Sequence, residues 1–344
     1  MRGGAVTANR PVRVLVADDS EMFREALTCI IASDPGFEVV ATARDGNDAA
    51  AHAQALRPDV ITMDLEMPDA DGFSGIARVM AETPTPILVL TAKREETVGF
   101  RALSLGALDI LEKPGPRADL ERYGQLLRSR LRLLAGVRVI RHPRGIRSGA
   151  IQARARAGPR RELVVVGASL GGPRALAALL HALPSDFPAP IAVVQHIADG
   201  FTEGLATWLA QESRLSITTA ADRDPLRPGR VLIAPSGKHL VVEEGRVRLS
   251  DAPAVDAFKP SVTPLFSSAA RVYGARACGV ILTGMGRDGA GGLRELRDAG
   301  GLTLAQDEPT SAVFGMARAA IELGAVDRVL ALDEIPRVLL EQVR

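Results

Sequence analysis

The residues Gly167-Ala168-Ser169-Leu170-Gly171-Gly172 follow the apolar run Leu163–Val166 and satisfy the G-x-S-x-G pattern at a strand-to-helix turn. Such a turn lifts a serine hydroxyl clear of a sheet. The helix N-terminus behind it supplies unpaired N–H groups and a positive dipole end for a developing oxyanion. A glycine-rich turn can also hold phosphate. Here, however, the G-x-G-x-x-G spacing of a dinucleotide site is missing, and no Lys-Ser/Thr pair follows to make a P-loop. A serine nucleophile needs a base and an orienting acid. Among five histidines, His52 lies in the first half, His142 in a Pro/Arg-rich stretch and His181 within a helix-like segment. His196 and His239 remain. His196 is favoured because it ends the apolar run Ile191–Gln195, at the sheet edge expected for Ser169. For the acid, Asp288 lies in Thr283-Gly284-Met285-Gly286-Arg287-Asp288-Gly289, straight after another apolar run. It is preferred to Asp307, whose surroundings read equally well as a helix start. The chain order Ser–His–Asp differs from that of α/β-hydrolases, so the chemistry is convergent on another scaffold.

A second constellation occupies the first half. Asp18, Asp19 and Asp64 each end a predicted strand, and Thr91 and Lys113 end two more. In a parallel sheet these ends share one edge. Three adjacent carboxylates repel unless a cation sits among them, and oxygen ligands with room for water suit Mg²⁺. Such a set can hold a phosphoryl group. Asp64 is the nucleophile in that reading, Lys113 and Mg²⁺ balance charge, and Thr91 hydrogen-bonds a phosphoryl oxygen.

Both sites demand parallel sheets covered by helices, and short apolar runs do alternate with amphipathic segments. The expected fold class is α/β with two domains. A flavodoxin-like (βα)5 unit spans 11–134, and a doubly wound, mainly parallel unit with a small β-hairpin spans 162–344. Expected helices include Asp48–Leu56, Arg117–Leu134 and Pro173–Leu183. The hairpin falls at Leu240–Leu249, and the chain closes with strand Val329–Leu332 and helix Ile335–Val343. Residues 135–161, rich in Gly, Pro and Arg, read as a flexible tether. No aromatics interleave its arginines, and the formal net charge is +1, which argues against nucleic-acid binding. The two cysteines lie far apart in apolar stretches and suit a reducing compartment. With no signal core and no membrane-length apolar run, no membrane insertion is expected, and the location is cytoplasmic.

The stretches Val16-Ala17-Asp18-Asp19-Ser20, Met63-Asp64-Leu65-Glu66-Met67-Pro68, Thr91-Ala92 and Lys113-Pro114 closely resemble the response-regulator receiver domain. That resemblance implies phosphorylation of Asp64 by a histidine kinase, with the Glu66 carbonyl completing the Mg²⁺ site. Ile110 stands where many receivers carry an aromatic. The second half is similar to the chemotaxis protein-glutamate methylesterases (CheB), through Gly167–Gly172, Gln195-His196, Pro235–His239, Lys259-Pro260-Ser261-Val262, Gly284–Gly289 and Ala305-Gln306-Asp307. This resemblance implies hydrolysis of glutamyl methyl esters on chemoreceptor cytoplasmic domains, and deamidation of receptor glutamines. It makes Ser169 the nucleophile, His196 the base and Asp288 the acid, with the Met285 backbone N–H in the oxyanion hole and no cofactor at the esterase site. It also implies that the unphosphorylated receiver covers the cleft. Leu170 replaces a usual Thr, and Phe258-Lys259 a usual His-Arg. Those departures leave room for a phospho-regulated esterase or deamidase acting on another protein; a non-catalytic receptor-binding regulator is a second alternative.

Overall fold

The computed structural model describes residues 10–67, 71–91, 96–115, 117–137, 161–198 and 200–343. The chain separates into two compact units, one ending at residue 142 and the other beginning at residue 143. Of the expected tether, Ala135 closes the last helix of the first unit, and Arg161 is buried against the second. The Arg161 side chain donates to the carbonyls of Ala275 and Gly300. Residues 138–160 of the tether, His142 among them, lie outside the described residues.

The first unit alternates strands β1 (Val12–Ala17), β2 (Phe37–Ala43), β3 (Val60–Asp64), β4 (Ile87–Thr91) and β5 (Asp109–Glu112) with helices α1 (Glu21–Ala32), α2 (Gly46–Leu56), α3 (Gly72–Glu82), α4 (Glu96–Leu105) and α5 (Leu120–Ala135). The sheet is parallel, in the order β2-β1-β3-β4-β5. All residues of β3 and β4 are buried, as expected for strands covered on both faces. Two helices begin away from their expected starts because acidic caps decide the boundary. Asp45 accepts from the N–H groups of Asn47 and Asp48, starting α2 at Gly46 rather than Asp48. Asp119 does the same for Glu121 and Arg122, so α5 starts at Leu120 rather than Arg117.

The second unit holds a seven-stranded sheet of β6 (Leu163–Ala168), β7 (Ile191–Gln195), β8 (Ser216–Thr219), β9 (Arg230–Ile233), β12 (Ala277–Ile281), β13 (Leu302–Gln306) and β14 (Arg328–Leu330). A separate antiparallel hairpin joins β10 (His239–Glu243) to β11 (Arg246–Ser250). The helices are α6 (Gly172–His181), α7 (Thr202–Glu212), α8 (Val262–Val272), α9 (Ala290–Asp298), α10 (Met316–Glu322) and α11 (Ile335–Gln342). The large sheet is parallel throughout, in the order β14-β13-β12-β6-β7-β9-β8. From β6 the chain builds outward through β7 on one side and returns through β12 on the other. The carboxyl ends of β6, β7 and β12 therefore bracket a topological switch point, where open α/β sheets bind ligands.

The core under this edge joins Leu163, Val165 and Val194 of the sheet to Leu265 and Phe266 of α8 and Leu293 of α9. Burying Phe266 fully contributes about 1.5–3 kcal/mol. That packing fixes the N-terminus of α8 against the strand ends. Among the described residues no helix is long and apolar enough to cross a membrane.

Candidate active site

Ser169 follows β6 and His196 follows β7, and these strands pair in register with Ala168 opposite Gln195. The N–H of His196 donates to the Ala168 carbonyl at 3.0 Å, carrying the ladder one step further. Ser169 and His196 are thus adjacent by sheet geometry. Gly171 turns the chain into α6 with φ of 73°, and a Cβ there would lie 2.5 Å from that of Ala312. The turn is held by the Thr283 hydroxyl, which donates to the Leu170 carbonyl at 2.9 Å.

Asp288 precedes α9 and is almost wholly buried. Its Oδ2 accepts from His196 Nε2 at 2.8 Å and from the Val262 N–H at 2.7 Å. Its Oδ1 accepts from the Ser261 hydroxyl at 2.7 Å, and from the Thr263 N–H at 3.1 Å and hydroxyl at 2.8 Å. Burial alone would push this carboxyl up. The bonds from His196, Ser261 and Val262 outweigh it and bring the group down to about 2. The carboxylate sits on the N-terminus of α8, where free N–H groups and the helix dipole favour negative charge.

An ionised carboxylate only accepts, so Nε2 of His196 carries the proton and Nδ1 of the neutral ring is left with its lone pair. Nδ1 is buried and has no hydrogen-bond partner among the described residues. It is the ring nitrogen that Asp288 leaves unengaged. In chymotrypsin-type triads Nδ1, not Nε2, faces the acid.

The Thr283–Gly289 loop passes directly beside the serine. A Cβ on Gly284 would lie 2.7 Å from Ser169 Cβ and 2.3 Å from the Met316 sulfur. Gly284 donates to the Val313 carbonyl at 3.0 Å, and its own carbonyl accepts from the N–H groups of Gly315 and Met316. Met285 follows with its side chain half exposed, and its N–H donates to no acceptor among the described residues.

The rival residues have other work. His239 is buried, its Nδ1 accepting from the Ser261 N–H at 3.1 Å while Nε2 faces the Pro253 carbonyl at 3.0 Å. It supports the segment that holds Asp288. Asp307 accepts from the Thr310 N–H at 3.0 Å and closes its own turn. His181 is hydrogen-bonded to the Glu212 carbonyl. Burial pushes the Cys278 thiol up to about 12, which leaves it inert as a nucleophile.

In the first unit, Asp18, Asp19 and Asp64 bring carboxylate oxygens within 4.8 Å of one another. Lys113 meets Asp64 at 2.7 Å and Asp18 at 2.8 Å. Asp64 Oδ1 accepts from its neighbours' N–H groups, Leu65 at 2.7 Å and Glu66 at 3.4 Å. Burial, and then the Asp18 charge, raise the Asp64 carboxyl against the pull of Lys113. Burial would lower the Lys113 ammonium, but its two carboxylate partners prevail and raise it. Thr91 is buried at the end of β4, with its carbonyl accepting the Lys113 N–H at 2.8 Å. A cluster of oxygen donors only, with Lys113 paired to Asp18 and Asp64, fits a hard divalent cation.

The CheB methylesterase family model matches residues 164–339, and the response regulator receiver domain model matches residues 14–123. A protein-glutamate methylesterase/protein-glutamine glutaminase of Anaeromyxobacter dehalogenans is 74% identical over 336 residues, covering 98% of each chain. The chain belongs to this methylesterase family. A relative of the same description from Myxococcus xanthus is 44% identical, with 95% of this chain and 96% of the relative covered. The crystal structure of the Thermotoga maritima CheB methylesterase catalytic domain is 41% identical, with a TM-score of 0.52. It covers 53% of this chain and 99% of that domain.

Within this methylesterase, two parts of the site escaped the sequence. Ser261, Val262 and Thr263 build the cradle for Asp288. Their signal was the Ser261 helix cap before an apolar run, which says where a helix starts but not what it faces. Phe258 stacks on His196 with ring centroids 3.9 Å apart and planes 2° from parallel. Nothing in sequence spacing relates those two rings. Leu170 is buried, and the elbow is held through its carbonyl rather than its side chain.

Proposed function

We propose that the protein hydrolyses glutamyl methyl esters on chemoreceptor cytoplasmic domains, and deamidates receptor glutamines, under control of phosphorylation at Asp64. The observation that carries the hydrolytic reading is the 2.8 Å bond between buried Asp288 and His196, with Ser169 on the neighbouring strand end. Ser169 Oγ attacks the ester carbonyl while His196 Nδ1 takes its proton. The developing imidazolium is stabilised through Nε2 by Asp288, and the oxyanion by the Met285 N–H. His196 returns the proton to the departing methoxide, which leaves as methanol. Water, deprotonated by His196, then cleaves the acyl-enzyme and frees the glutamate. An amide substrate follows the same course and releases ammonia.

The receiver reading assigns residues 11–134 to the switch, 135–161 to a tether and 162–344 to the hydrolase. Asp64 accepts a phosphoryl group from a histidine kinase, Lys113 pairs with the added charge, and Thr91 offers its hydroxyl. Asp18, Asp19, Asp64 and the Glu66 carbonyl would hold Mg²⁺, which when bound offsets the charge of phosphoryl and carboxylates. The setting is the cytoplasm, where receptor domains and kinase meet.

Methanol release from methylated receptor tests the hydrolase. Wild type is expected to release methanol and Ser169→Ala is not; equal release from both would rule out this mechanism. Beryllofluoride with Mg²⁺ is expected to raise the activity of wild type but not of Asp64→Asn, and an equal response would remove the receiver as the switch.

A further inference from the structure

His196 has two contacts that define its ring, and the triad accounts for only one. Nε2 is tied to Asp288, but this nitrogen lies nearer the axis of the Cβ–Cγ bond than Nδ1 does. Rotation about χ2 therefore displaces Nδ1 more than it displaces Nε2. Torsions of this sp³–sp² kind are intrinsically broad, so nothing in the histidine itself fixes its plane. The bond to Asp288 anchors Nε2 and restrains the ring plane only in part.

Phe258 lies flat against that ring, at 3.9 Å and 2°. It is delivered by a two-residue turn closed from both sides. Phe258 N–H donates to the Val255 carbonyl at 2.8 Å, and Val255 N–H to the Phe258 carbonyl at 3.1 Å. The turn residues Asp256 and Ala257 take φ of 48° and 68°, a left-handed region that disfavours residues with a Cβ. Backbone held in such a conformation is found where surrounding contacts over-determine it, often at functional sites. Three residues further on, Ser261 and then Val262 bond Asp288, so one segment constrains both ring contacts of the base.

We infer that Phe258 is a positioning residue of the hydrolysis, its ring fixing the plane of the His196 imidazole so that Nδ1 stays aimed at Ser169. This rests on the triad reading. The requirement is for a flat partner, not for bulk alone. An aromatic replacement preserves the constraint, while a flexible aliphatic side chain of similar size fills the space and leaves χ2 free.

The test uses full-length protein and methylated receptor, with kcat and KM measured from methanol release. Phe258→Leu is expected to lower kcat about three- to tenfold, the range set by stacked aromatic pairs, with KM close to wild type. Phe258→Tyr is expected to restore kcat. Phe258→Met supplies a second flexible replacement if the Leu variant does not fold. An undiminished kcat in the flexible variants, or a Tyr variant as slow as they are, overturns the inference. So does a loss confined to KM. Turnover by Ser169→Ala overturns the triad itself. A dead Ser169→Ala beside an unimpaired Phe258→Leu overturns only the role of Phe258.

Discussion

Ser261 Oγ donates to Oδ1 of Asp288 at 2.7 Å, on the opposite carboxylate oxygen from the one that holds His196. Asp288 is thereby gripped from both ends, and its hold on His196 rests on Ser261, Val262 and Thr263. Ser261→Ala removes one charged hydrogen bond, worth about 1.5–3 kcal/mol. Thr263 and Val262 remain, so kcat is expected to fall about tenfold rather than collapse. KM is expected to hold, because the lost contact serves the transition state. Steady-state kinetics on Ser261→Ala check this.

The low carboxyl of Asp288 links stability to pH. A carboxyl near 3.8 when unfolded and about 2 when folded stabilises the native state fully above the unfolded value. That contribution declines as pH falls below about 4 and is gone below the folded value; it amounts to about 2 kcal/mol for the fully buried group. Trp208, the single tryptophan and buried in α7, reports unfolding of the hydrolase unit. Urea midpoints of wild type and Asp288→Asn, followed by its fluorescence, are expected to differ at neutral pH and converge as pH falls from 4 towards 2.

Asp64 has the opposite sign. Its carboxyl is raised by burial and then by Asp18, so the folded receiver binds this proton more tightly than the unfolded chain does. Ionised Asp64 therefore costs stability at neutral pH, and the cost shrinks as pH falls through the raised value. Asp64→Asn is expected to raise the thermal midpoint of the receiver transition while abolishing activation. Scanning calorimetry in the absence of divalent cations checks the first part, and the beryllofluoride response the second.

Gly284→Ala is expected to damage turnover more than fold. The added methyl collides with Ser169 Cβ and the Met316 sulfur. Overpacking of this kind costs about 1–3 kcal/mol. The relief available is movement of the Met285 segment away from the serine, so kcat is expected to fall about a hundredfold, the loss typical of one oxyanion donor. Wild-type kcat in this variant would show that the loop does not serve the oxyanion.

Ser169, His196 and Asp64 were legible in the sequence because each ends an apolar strand, and parallel strands bring their carboxyl ends to one edge. Asp288 was legible for a related reason, its glycine-rich loop following β12. Strand order was not, since the pairing of β6 with β12 joins residues more than a hundred positions apart and leaves no local trace. Helix starts at Gly46 and Leu120 were misplaced because cap geometry, not apolar period, sets them. The cradle of Asp288 and the ring over His196 were invisible for the same reason as the strand order. They exist only once α8 has packed against the sheet.

The register between β6 and β7 has a consequence for divergence. Spacing between Ser169 and His196 is set by ladder hydrogen bonds, not by the length of any loop around them. The segment that follows His196 can therefore lengthen, shorten or change charge while Ser169 and His196 stay adjacent. Loop composition and the Ser169–His196 spacing vary independently, so a duplicated copy can rewrite its rim while the β6–β7 register persists.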